Sequence, residues 1–117
     1  MNIEEIREYC LAKKGVTESF PFDDETLVFK VMDKLFALIS LDADLSINLK
    51  CDPETAIQLR VQYPSVLPGY HMNKNHWNTI LIDGLVNDQL ICEWIDHSYQ
   101  LVVERLTRKQ KDELGKL

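Results

Sequence analysis

Two apolar runs, Leu27 to Met32 and Leu35 to Ser40, are separated by Asp33-Lys34 alone. Both are rich in β-branched and aromatic residues, and each is about one strand long. So short a connection leaves no room for a crossover helix, so the runs pair as an antiparallel hairpin. Leu45 to Lys50 alternates apolar and polar residues and extends the hairpin into a three-stranded meander. Trp77 to Asp83, ended by Asp83-Gly84, reads as a further strand.

Helical patterns flank these strands. Asn2 and Glu5 make a capping-box-like start, Ile3, Ile6 and Cys10 share one side, and Gly15 is a natural stop. Phe20-Pro21-Phe22 breaks helical periodicity, and Asp23-Asp24-Glu25 makes an acidic turn. Asp52 caps a second helix with Pro53 at its first position, where a missing N–H loses no bond. Its inner face carries Ala56, Leu59, Arg60 and Tyr63. Pro64 to Tyr70, with two prolines and a glycine, reads as a loop. Asn87 or Asp88 starts the longest helix, along which Leu90, Ile91, Trp94, Ile95, Ser98, Leu101 and Val102 form one stripe. Segregated strands and helices imply an α+β fold of two layers, an antiparallel sheet with helices mainly on one face. The 117 residues suffice for one domain, expected over residues 1–106, with residues 107–117 as a polar tail, helical or frayed.

The net charge of −6 argues against a broadly cationic nucleic-acid binder. Its distribution matters more than its sum. Residues 1–29 hold 3 basic and 7 acidic groups, and residues 83–104 hold 5 acidic groups and no basic one. Residues 30–82 are balanced, residues 105–117 carry 5 basic against 2 acidic groups, and no acid lies between Thr55 and Ile82. Three widely spaced cysteines, Cys10, Cys51 and Cys92, with no CxxC and no signal-peptide pattern, point to a reducing, cytoplasmic setting. No apolar run is long enough for a membrane span, and the common nucleotide, zinc-protease and hydrolase motifs are absent. No cofactor is expected, and a monomer is.

Pro68 to Thr79 concentrates chemistry: two His, three Asn, one Lys, a Trp, a Tyr and no acid in twelve residues. Such a set donates to anionic or carbonyl oxygens, stacks planar groups on Trp77 or Tyr70, and pairs amides with base edges. The same residues can instead serve the fold, the aromatics as core and Asn73 and Asn75 as turn formers. His71 and His76, five apart, diverge on a strand or a helix, which argues against a shared metal. Asp96-His97-Ser98 are consecutive on a helix and point apart, so they make no triad. His97 reads as solvated, and Ser98 as bonded back to a helix carbonyl. Cys51, near a helix N-terminus, is either an activated thiol or a buried inert one.

The stretches FPFDDETLVFKVMDKLFAL, LKCDPE, PGYHMNKNHWNTILIDG and SYQLV resemble the MmcQ/YjbR family of small bacterial proteins, over about Ile3 to Leu106. The resemblance implies a YjbR-like, secretion-chaperone-like α+β domain, described for the family as a non-enzymatic, "double-wing" DNA binder. By position the family motif falls on Tyr70, His71, Met72, Asn73, Lys74, His76, Trp77, Asn78 and Thr79, and its scattered lysines on Lys30, Lys34 and Lys50. The chain departs from the family in having Asp23 and Asp33 where glycine is frequent, and Leu106-Thr107-Arg108-Lys109 where proline is more usual. The resulting expectation is weak, salt-dependent DNA binding through these lysines, joined by Arg60 and the Arg105-Arg108-Lys109-Lys111 cluster. The alternative is a protein-, peptide- or small-anion-binding module built on Tyr70 to Thr79.

Overall fold

A computed structural model describes residues 1–42, 45–69 and 72–117 of the chain. The elements run α1 (Ile3–Leu11), β1 (Val16–Ser19), β2 (Thr26–Val31), β3 (Lys34–Ser40), β4 (Ser46–Lys50), α2 (Pro53–Gln62), β5 (Val66–Pro68), β6 (Trp77–Leu81), α3 (Asp88–Glu104) and α4 (Arg108–Gly115). All six strands form one antiparallel sheet in the order β1-β2-β3-β4-β6-β5.

The register explains the core. Leu27, Ile39, Ile47, Ile80 and Val66 lie opposite one another in turn, a single apolar row across five strands. Side chains alternate faces along a strand, so this row and the parallel row through Phe29, Ala37 and Leu49 point the same way. Against them pack Ile6 and Cys10 of α1, Ile91, Ile95 and Val102 of α3, and Leu114 of α4. Tyr63, closing α2, meets Trp94 of α3 edge-on at 5.2 Å, which places α2 on the same side. The sheet thus carries its helices on one face, as the α+β pattern predicts.

The structure moves several boundaries. The hairpin turn is Met32-Asp33, one residue earlier than the sequence suggests, because Val31 pairs with Lys34. Both turn residues have positive φ, 49° and 65°, as the tight turn matching strand twist requires. β1 escaped the sequence pattern because it is short and half polar, and β5 lies inside the segment read as loop. Both are edge strands, and Pro68, lacking an N–H, is tolerated there. The tail is helical: Thr107 and Gln110 form a capping box, and Leu114 is buried in the core.

A β-bulge fixes how α3 docks. Phe29 pairs with Ala37 and Lys30 with Leu35, leaving Phe36 as the extra residue, so Phe36 and Ala37 both enter the core. The Ser98 hydroxyl donates to the Phe36 carbonyl at 2.5 Å and accepts from the Lys50 N–H at 2.9 Å. Ser98 therefore does not bond back to its own helix. It satisfies backbone groups of two strands.

Candidate nucleic-acid interface

Most of the polar segment before β6 serves the fold. The Asn73 side chain accepts from the Asn75 N–H at 2.9 Å, and the His76 N–H donates to the Asn73 carbonyl at 3.0 Å. The His76 carbonyl accepts from the Cys51 N–H at 2.7 Å, extending the β4–β6 pairing, while its side chain is half-buried. Trp77 is only 8% exposed and lies opposite Lys50, so it offers no open face for stacking. Asn78 is 2% exposed, its Oδ1 accepting from Arg60 Nε at 2.6 Å and its Nδ2 donating to the Ala56 carbonyl at 3.3 Å. Arg60 also donates to the carbonyls of Lys74 and Trp77. Arg60 and Asn78 are thus a rivet between α2 and β6 rather than groups awaiting a ligand. Lys74 is exposed, and Tyr70 and His71 lie outside the described residues.

The lysines divide. Lys34 opens β3 and Lys50 closes β4, and because these strands are antiparallel both stand at the same end of the sheet. Ser98 anchors α3 beneath this end, so the last turn of the helix brings Val102 and Arg105 to it. Lys34, Leu35, Lys50, Val102 and Arg105 line a cleft of about 260 Å³. No carboxylate lines it, and no ion pair engages its three cations, among the described residues. Lys50 has its pKa lowered, first by burial and then by the Arg105 charge. Lys30, the penultimate residue of β2, and Lys74 are not part of the cleft. The chain continues from Arg105 into exposed Arg108, Lys109 and Lys111 on α4.

Charge decides what this cleft can hold. The C-terminus of α3 contributes a partial charge of about −0.5, against three unit cations, so the cleft stays positive and suits phosphate-like anions. A larger hollow of about 380 Å³ on the helix-free face is lined by Asp23, Glu25 and Asp42 together with Phe22, Asn48 and Met72. Three carboxylates there repel the same anions.

The Asp96-His97-Ser98 run is dispersed as its helical spacing requires. Asp96 binds the Tyr9 hydroxyl and Lys13, and Ser98 holds β3 and β4. His97 differs from its solvated expectation: its side chain is half-buried, and its Nε2 is out of water. The Cys51 thiol is buried and its pKa is pushed up to about 11 by that burial, the opposite of activation. No group of three or more His, Cys, Asp or Glu side chains could hold a metal among the described residues, and no helix described is long and apolar enough to cross a membrane.

Comparison with known proteins gives a uniform result. The YjbR family model matches residues 11–101. The uncharacterized protein YjbR of Escherichia coli K12 is 37% identical over 118 aligned positions, covering 100% of both chains. The uncharacterized protein YbdF of Escherichia coli O157:H7 is 39% identical over 109, covering 92% of this chain and 89% of its own. The crystal structure of Deinococcus radiodurans protein DR2400, a DUF419 domain, superposes with a TM-score of 0.90 at 42% identity, covering 97% of this chain and 88% of that one.

Proposed function

The chain belongs to the YjbR family, and from that membership and the cationic cleft we propose that it is a non-enzymatic protein that binds DNA through phosphate contacts. The observation carrying this reading is the convergence of Lys34, Lys50 and Arg105 on one cleft, free of carboxylates among the described residues. The groups best suited to reading base edges or stacking on bases, Asn78 and Trp77, are spent inside the fold. Phosphate contacts position a duplex without reading it, so the binding is sequence-tolerant.

Three neutralised phosphates give a slope of log K against log salt of about −2.7, with affinity in the weak non-specific range. Fluorescence anisotropy with a labelled duplex tests this. Lys34→Ala and Arg105→Ala should each weaken binding and flatten the slope by about 0.9, with Lys74→Ala leaving it unchanged. Absence of binding at about 50 mM salt, or an equal effect of all three variants, overturns the reading.

A further inference from the structure

The two edges of the sheet are not equally closed. At β5 the Val66 N–H turns back to the Tyr63 carbonyl at 3.0 Å, and Pro68 has no N–H to offer. At β1 the edge is open. The Leu41 N–H donates to the Glu25 carbonyl at 2.7 Å, so odd-numbered residues of β2 bond to β3 and even-numbered ones to β1. Val28 and Lys30 thereby engage Ser19 and Thr17, which leaves the N–H and C=O of Glu18 pointing out of the sheet. Neither group has a protein partner among the described residues.

This edge is complementary to itself. The chain enters β1 past exposed Lys14 and leaves it past exposed Asp23, Asp24 and Glu25, none of them ion-paired among the described residues. An antiparallel second copy brings each basic end beside an acidic one. With Glu18 opposite Glu18 about a two-fold axis, the two outward backbone pairs close on each other. Val16 then faces the half-exposed Phe20 of the second copy, and exposed Thr17 faces exposed Ser19. A β-branched residue against an aromatic one and a pair of hydroxyls are cross-strand combinations that stabilise a sheet. Two facing glutamates are the one adverse pair, and Arg7 of α1 offsets it by holding each Glu18 carboxylate through two hydrogen bonds. A register two residues away in either direction loses the contact between Val16 and Phe20. We propose that the β1 edge joins two copies of the chain, in place of the monomer the sequence suggests, fusing two six-stranded sheets into one.

An interface of one short strand pair is small, so its affinity falls in the weak class and the full chain is followed over a wide concentration range. Sedimentation equilibrium should show a reversible monomer–dimer exchange that weakens with added salt. Two double variants separate this edge from any other contact. Thr17→Glu with Ser19→Glu sets acid against acid across the axis and should weaken the dimer by about tenfold. Thr17→Glu with Ser19→Lys sets acid against base and should leave the dimer at least as tight as that of the wild-type chain. In both variants position 17 stays opposite Lys30 of β2, which favours the new carboxylate within the monomer. A chain that stays monomeric up to millimolar concentration, or equal weakening by the two variants, overturns the proposal. Hydrogen exchange at the Glu18 amide gives a second reading without mutation. Its protection should rise with protein concentration, and exchange that does not change overturns the proposal.

Discussion

Asn78 shows how burial changes what a residue is for. In an exposed turn its amide would be free for a ligand. At 2% exposure, with Arg60 on one side and the Ala56 carbonyl on the other, it is a structural cross-link. Asn78→Ala leaves the Arg60 Nε donor without its partner and takes from the Ala56 carbonyl its donor from outside α2, which costs about 1–3 kcal/mol of unfolding free energy. Urea denaturation would show this as a lower midpoint. Asn73→Ala, in an exposed turn, should cost no more than about 0.5 kcal/mol. Equal losses for the two would mean that the α2–β6 rivet carries no special weight. Residue types alone could not separate these two asparagines, because both sit in one polar run and only the strand register turns Asn78 inward.

At the scale of elements, the joints matter more than the helices and strands they connect. Gly15 ends the α1 turn at φ 74°, and a Cβ built there would stand 2.5 Å from Leu114 Cδ1 of α4. Backbone strain in the left-handed region costs about 1–2 kcal/mol for an ordinary residue, and displacement of Leu114 from the core adds to it. Gly15→Ala should therefore lower stability by at least about 1 kcal/mol and expose α4 to faster amide exchange. Unchanged exchange in α4 would show that the two ends of the chain are not latched here. The glycine was legible as a stop signal in the sequence. Its second role, making room for a side chain about a hundred residues away, was not. β1 and β5 stayed hidden for a related reason: edge strands bury little, so they carry no alternating apolar signature.

Across the whole molecule, the charge of −6 says little about what the cleft sees. The acids concentrate in residues 1–29 and 83–104, whereas Lys34, Lys50 and Arg105 meet at one end of the sheet. Lys50 begins below the usual lysine pKa of 10.5, so rising pH strips its charge earlier than that of an exposed lysine. A bound phosphate group favours the ammonium and raises that pKa, so binding takes up protons in the alkaline range. Duplex affinity measured between about pH 8 and 10 should fall for the wild-type chain and stay nearly flat for Lys50→Arg, whose guanidinium keeps its proton. Parallel falls in both would remove Lys50 from the site. The sequence by itself determined the α+β class, the central meander, the N-caps of α1 and α2 and the family, because these follow from local periodicity, turn chemistry and short motifs. Only the tertiary structure decided which polar residues remain available. Burial and the convergence of positions 34, 50 and 105 arise from sheet register and the docking of α3, and no local pattern encodes them.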